Sequence, residues 1–221
     1  MNAAVALILS GFLFAGEALL ALNDAEKPAL FVAAGENRSS IARPQDTQAV
    51  PVFKITPVES KIKFDVEASV DIAGTFDKWD ATLTFASTDV TSGVLDIKIQ
   101  ADSVDTGSGM KNGKLKGKDF FDVKRNPIIT FRSTRIEHTG PGAFSVDGDF
   151  TIRGVTKHEK LVLTVSGAGT GSGTIAGIMA FDRKEYGMNS GIPFIKIADR
   201  VEVSVNLKGE RISGPPLALK Q

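Results

Sequence analysis

Few residues of this chain are equipped for bond-making chemistry. Its 221 residues include no Cys and two His. Thiol nucleophiles, thiolate metal sites, disulfides and a lipid-bearing Cys therefore fall outside its repertoire. His138 stands just before a Thr139-Gly140 turn and His158 just after Gly154-Val155-Thr156-Lys157. Both read as exposed turn residues, and no carboxylate at second-ligand spacing accompanies either one. The other carboxylates alternate with apolar residues, so they face outward, where nothing desolvates them into acid–base pairs. Asp182-Arg183, at the end of a strand-like run, is the best candidate for a buried polar pair and reads as a structural ion pair or turn contact. Gly167, Gly169, Gly171 and Gly173 imitate a phosphate-cradling loop, but they open no helix and read as a hairpin tip. No catalytic residue and no metal site is assigned, and no cofactor is expected.

One segment joins charge to aromatic surface. Asp105 to Phe121 carries four lysines, four glycines and the adjacent Phe120 and Phe121. It is long for a hairpin loop, and loops of this length often cover or line a site. One reading is a short helical or irregular lid, with Phe120 and Phe121 against the interior and Lys111 and Lys114 drawing a polar or anionic headgroup to the mouth. The other is a solvated loop anchored by its aromatics; for the lysines the glycines favour this one, since they make a shaped anion site hard to hold.

The elements that would position these residues are strands. Ile62, Phe64, Val66, Ala68 and Val70 alternate with Lys61, Lys63, Asp65, Glu67 and Ser69, the period of a half-buried strand. The same period returns at Trp79 to Phe85, Leu95 to Ala101, Ile129 to Phe131, Phe144 to Ile152, Leu161 to Val165, Ile175 to Phe181 and Val201 to Leu207. Eight strands result. Short punctuation such as Thr139-Gly140-Pro141-Gly142 and Arg153-Gly154-Val155-Thr156 suits hairpins, so neighbours should pair antiparallel. An all-β, eight-stranded antiparallel up-and-down barrel satisfies this most simply, because closure removes exposed edges. A two-sheet sandwich is the alternative.

Composition agrees. Lys+Arg 26 balance Asp+Glu 26, and 42% of residues are hydrophobic, values of a globular chain without an overall field to attract nucleic acid. Aromatics fall in the inward phase and charges of both signs outside, which argues against a single-strand-binding face. A transmembrane barrel would need the reverse, apolar outside and polar within. An apolar interior in eight strands is filled by side chains or holds one slender guest, which must be mostly hydrocarbon.

The ends of the chain differ from its middle. Residues 1–22 carry one charge, Glu17, around an apolar run, and read as an export segment with Val32-Ala33-Ala34 as the best cleavage site; a retained anchor is the competing reading. Residues 23–51 read as a linker, 52–212 as the barrel domain and 213–221 as a tail. The expected location is the periplasm or the medium, or the inner membrane surface if the anchor is kept.

Val52 to Arg211 resembles the YceI family, lipocalin-like polyisoprenoid-binding proteins of bacterial periplasms. The matching elements are Ser60-Lys61-Ile62-Lys63-Phe64-Asp65-Val66, Gly74-Thr75-Phe76, Ser103-Val104-Asp105-Thr106, Leu115 with Asp119-Phe120-Phe121, and Pro127 with Thr130-Phe131-Arg132-Ser133. Gly148 to Lys157 and Asp182-Arg183 with Tyr186-Gly187-Met188 complete the series in the family's order. The resemblance implies a barrel whose long apolar pore holds an isoprenoid chain, such as a polyprenyl phosphate or a quinone tail. The chain departs from the family at the headgroup end. Lys111-Asn112-Gly113-Lys114 stands where many members have Arg-Asp-x-His, and Glu67-Ala68-Ser69 where a His is frequent. Lys111 keeps a charge but not the planar fork that suits phosphate.

The expectation is a noncatalytic carrier of a polyisoprenoid or other long-chain lipid, with transient membrane contact and with a dimer left open. Phe64, Val66, Trp79, Leu83, Phe85, Ile99, Phe131, Phe150, Met179 and Phe181 are the expected lining, chosen for their shared phase, with Phe120 and Phe121 from the lid and Lys111 and Lys114 at the headgroup. The alternatives are a solid-packed structural or interaction module and an enzyme acting on a lipid held in the pore.

Overall fold

The computed structural model describes residues 50–69, 72–167, 171–191 and 196–218, all within one compact unit, Gln45–Gln221. The expected export segment or anchor, the linker up to residue 49, Val70, Gly169 and the last three residues of the tail lie outside the described residues.

Among the described residues eleven strands follow one another as β1 (Val52–Ile55), β2 (Lys61–Ala68), β3 (Ile72–Phe76), β4 (Trp79–Phe85), β5 (Gly93–Gln100), β6 (Val104–Asp105), β7 (Ile128–Gly140), β8 (Ala143–Ile152), β9 (Val155–Ser166), β10 (Ser172–Asp182) and β11 (Ile197–Ser213), with one α-helix, α1 (Gly109–Lys116), between β6 and β7. All eight expected strands are present, and the three additions are short. β3 is separated from β4 only by Asp77 and Lys78, and β5 from β6 only by the 3-10 turn Ala101–Ser103.

Every ladder is antiparallel, in the order β4-β5-β7-β8-β9-β10-β11-β2-β3-β6, with β1 on β11. Because β3 leads directly into β4 and β5 directly into β6, the ladder returns to the chain stretch from which it began. The sheet is thus curled on itself in the lipocalin-like manner. Beside β4 lies β1, where the rings of Phe53 and Phe85 meet edge to face at 5.8 Å.

Alternation is what drives the curl. Along β2 each of Lys61, Lys63, Asp65 and Glu67 is exposed, whereas Ile62 and Phe64 are buried. Burying the apolar row removes about 25 cal/mol of cost for each Å² taken from water. Outside, opposite charges face each other across the ladders: Arg132 meets its register partner Asp96 at 2.7 Å and Lys160 meets Asp147 at 2.7 Å, the arrangement that favours a given register. The β8–β9 connection is the two residues Arg153 and Gly154, with φ of 55° and 74°. This double left-handed geometry matches the twist of a hairpin.

Both histidines sit differently from the sequence expectation. β7 continues through Thr139 to Gly140, so His138 is a strand residue; it is half-buried, its ring edge-on to Phe144 at 5.2 Å, with Nε2 buried and without a hydrogen-bond partner. His158 lies inside β9, exposed as expected but on a strand, with Nδ1 3.2 Å from Asp149 Oδ1.

Candidate functional site

The inward row is not filled evenly. At one end of the barrel, under α1, an almost wholly apolar cavity of about 110 Å³ is walled by Phe64, Phe76, Phe121, Phe150 and Phe181 among others. Below it, between Ile97, Phe131, Leu161 and Met179, is a void of about 30 Å³. Then comes a packed layer: Leu95, Val146 and Leu207 are at most 1% exposed. Beyond that layer, at the opposite end, a second apolar cavity of about 70 Å³ lies among Phe53, Ile55, Leu83, Phe85 and Ile175.

The mouth is roofed by the segment from β6 to β7, and its glycines do not leave it loose. Ser108 caps α1, its Oγ accepting from Lys111 N at 3.5 Å. Asn112 staples the roof to β6: its Oδ1 accepts from Thr106 N at 2.8 Å and Thr106 Oγ1 at 2.7 Å, and its Nδ2 donates to Asp105 Oδ1 at 3.0 Å. That amide and the Gly107 N–H hold the Asp105 carboxyl below the usual carboxylate range. The roof's apolar residues Leu115, Phe120 and Phe121 are buried. Phe121 packs against Phe76 at 5.8 Å and edge-on to Phe64 at 6.4 Å. Arg153 of the β8–β9 hairpin donates to the Phe120 carbonyl at 2.9 Å, tying roof to wall.

The rim on the other side depends on one buried cation. Arg183, 6% exposed, lines the mouth cavity and donates to the Ala198 carbonyl at 3.0 Å, to the carbonyls of Ser190 (3.1 Å) and Met188, and to Asp199 Oδ1 at 3.1 Å. The neighbouring Asp182 turns away and accepts from Lys184 N at 2.8 Å. The expected pair is therefore divided: Asp182 makes the turn contact and Arg183 the ion pair, each with another partner. Asp199 also holds Lys184 at 2.8 Å, and this bond, with the charges of Lys184 and Arg183, lowers its carboxyl.

The lid lysines are at the mouth. Lys111 and Lys114 both border the cavity. Lys114 Nζ is 3.1 Å from Asp119 Oδ2 and 5.9 Å above the Phe120 ring, and its ammonium lowers the Asp119 carboxyl. A headgroup approaching Lys114 must compete with that carboxylate.

Of the expected lining, Phe64, Val66, Ile99, Phe120, Phe121, Phe150 and Phe181 come together around the mouth cavity. Phe131 and Met179 border the small void below it. Leu83 and Phe85 are at the opposite end, in the second cavity. Trp79 is half-buried and packs against the core without bordering any of these cavities. The physical reason is that alternation reports which face a residue takes, while strand tilt decides its height along the barrel. Sequence reasoning missed Phe76, Ile72 and Met188, on segments too short or irregular to show a period, and read Arg183 as a structural ion pair without placing it at the mouth. Among the described residues no group of three or more His, Asp or Glu is placed to hold a metal ion.

Residues 53–209, from β1 into β11, match the model of the YceI-like domain. The chain belongs to the YceI family. Relatives named UPF0312 protein, from Pseudomonas savastanoi pv. phaseolicola and Yersinia pestis, are 33% identical over 98 residues and 34% identical over 96 residues. These stretches are 44% and 43% of this chain, and the chain spans about half the length of the curated relatives it matches, 51% and 50%. Among solved structures, BcnA of Burkholderia cenocepacia is similar with a TM-score of 0.64 and 27% identity, over 70% of this chain and 99% of that one. A polyisoprenoid binding domain from Saccharophagus degradans, implicated in plant cell wall breakdown, superposes with a TM-score of 0.59 at 16% identity, over 73% of this chain and 99% of that one. At that identity the likeness concerns the YceI fold alone.

Proposed function

We propose that this YceI-family chain is a noncatalytic carrier that encloses the hydrocarbon part of an isoprenoid or similar amphiphilic lipid. The observation that carries the reading is the apolar cavity under α1, walled by phenylalanines and bordered by Lys111 and Lys114. An apolar wall gains about 25 cal/mol per Å² of guest surface removed from water, less the cost of immobilising the guest. The lysines at its edge leave a polar or anionic headgroup at the surface, where it remains hydrated. The structurally similar polyisoprenoid binding domain supports the same class of guest. The carrier is proposed to act in the periplasm, after export directed by residues 1–22. Mass spectrometry of organic extracts from the purified protein tests the reading: a stoichiometric isoprenoid is expected, and protein that carries none and refuses added prenols overturns it.

A second reading is favoured by the packed layer of Leu95, Val146 and Leu207. A barrel filled at mid-height is also what a structural or interaction module would have. Such a module yields no lipid in the same extraction.

A further inference from the structure

The geometry points to the outer side of the roof as a docking surface for a bilayer that contains anionic phospholipid, so that the mouth lies against the membrane while a guest enters or leaves. This rests on the carrier reading and names the surface with which the carrier exchanges its guest.

Charge is balanced over the whole chain and lopsided at this end. The sequence sets 26 basic residues against 26 acidic ones, yet Thr106 to Ile128 holds Lys111, Lys114, Lys116, Lys118, Lys124 and Arg125 against only Asp119 and Asp122. Six against two leaves an excess of four positive charges on the segment that roofs the cavity. Lys114, Lys118, Lys124 and Arg125 are exposed. Near an anionic bilayer each Lys or Arg is worth about fivefold in partitioning.

An apolar anchor accompanies the charge. Met110, beside Lys111 in the first turn of α1, is 88% exposed, whereas Leu115, Phe120 and Phe121 are buried. The roof thus turns its aromatics to the cavity and leaves one long, flexible thioether in water. Around Met110 the helix is bare, because a Cβ at Gly109 or at Gly113 would meet no atom within 4 Å. Backbone without side chains can lie close to a flat layer of headgroups. The bonds of Asn112 to Thr106 and Asp105, and of Arg153 to the Phe120 carbonyl, hold this surface in one orientation to the cavity.

A bilayer suits these features better than an acidic protein does. One exposed apolar side chain among lysines offers a folded partner no packed centre, while a layer of headgroups needs only charge and a shallow anchor. Contact of this kind is reversible. It also removes a step that a carrier would otherwise face, the passage of a hydrocarbon chain through water between bilayer and cavity.

Co-sedimentation of the full chain with vesicles of mixed phosphatidylglycerol and phosphatidylcholine, and with vesicles of phosphatidylcholine alone, tests the docking. Binding at least about tenfold tighter to the anionic vesicles is expected, and its loss in about 1 M sodium chloride, where charges are screened within about 3 Å. Replacing Lys118→Gln together with Lys124→Gln should weaken it by about tenfold or more. Equal binding to both vesicles, binding that survives the salt, or an unchanged double variant overturns the proposal. The chain has no Cys, so Met110→Cys can carry a single environment-sensitive fluorophore, whose emission should move to the blue on anionic vesicles. Val58→Cys is the control: Val58 is 94% exposed in the turn before β2, at the end of the barrel away from α1. A blue shift at Val58→Cys as large as that at Met110→Cys overturns the assignment to the roof. A roof that serves an acidic protein instead gives no vesicle binding, and that result overturns the docking alone, since the carrier reading is judged by the lipid extracted from the protein.

Discussion

The Tyr186 hydroxyl donates a 2.7 Å hydrogen bond to Glu159 Oε1, joining the turn after β10 to the middle of β9. The same ring stands edge-on to Phe150 at 5.5 Å and to Phe181 at 5.2 Å, and those two rings are 5.0 Å apart. Tyr186 is fully buried. Its ring thus packs against two phenylalanines of the mouth lining while its polar tip is tied to β9.

Tyr186→Phe removes the bond while keeping the ring. A hydrogen bond to a charged acceptor is worth about 1.5–3 kcal/mol, and Glu159 is half-buried, so a loss near the lower figure is expected in urea unfolding. Burial, and then the Glu159 carboxylate, push the pKa of the Tyr186 phenol far above its usual value. A raised native value means that the neutral form is favoured by folding. The contribution is complete below the unfolded value of about 10 and is lost as pH rises above it. Wild-type stability should therefore fall from pH 10 upward more steeply than that of the Phe variant; equal slopes would remove Tyr186 as the cause.

Arg183→Ala should free the rim between β10 and β11. The guanidinium satisfies three carbonyls and Asp199, and leaving such groups unpaired costs about 1–3 kcal/mol each where water cannot replace the partner. A stability loss of about 3 kcal/mol, with faster amide exchange at Met188 and Ala198, is expected. Arg183→Lys should recover only part of it, because one ammonium cannot span the same acceptors.

Gly148→Ala and Gly177→Ala test the recesses in the wall. At Gly148 an added Cβ meets both the Phe131 ring at 2.5 Å and the Arg132 carbonyl oxygen at 2.7 Å; at Gly177 its nearest neighbours are side-chain methyls of Leu163 and Val205, at 2.4 and 2.9 Å. Overpacking costs about 1–3 kcal/mol. The Gly148 variant should lose more, since backbone yields less than a methyl, and thermal midpoints will show the order.

Asp119 should titrate below an ordinary aspartate, because the Lys114 ammonium hydrogen-bonds its charged form. Its stabilising effect is present above the unfolded value of about 3.9 and disappears as pH falls through the lower native value. A carboxylate-detected titration should show the midpoint rising toward the ordinary value in Lys114→Ala. No rise would mean that the 3.1 Å pair does not persist in solution.

The sequence displayed most of the barrel because alternation is a local property: each of Ile62, Phe64, Leu95 and Phe150 is inside, as its phase requires. Height along the barrel is a collective property of tilt and register, and so Leu83 and Phe85 share a phase with Trp79 yet end at the far cavity. The roof was legible as a break in the rhythm carrying two aromatics. Its order was not, since four glycines suggest freedom and only the folded chain brings Asn112 onto Thr106 and Asp105. Arg183 was legible as half of an ion pair, but neither its partner Asp199 nor the three backbone carbonyls it also satisfies were, because no local side-chain pattern announces them.

Val52 at the start of the barrel is the register partner of Ser213 at its end, and Phe53 and Leu217 both line the cavity at the end of the barrel away from α1. The two ends of the domain thus leave by the same door, opposite the one a guest would use. A fluorophore, a purification handle or a linker to a solid support joined at either end would stand clear of the entrance, so the protein can be fixed to a sensor surface with its opening turned to the sample.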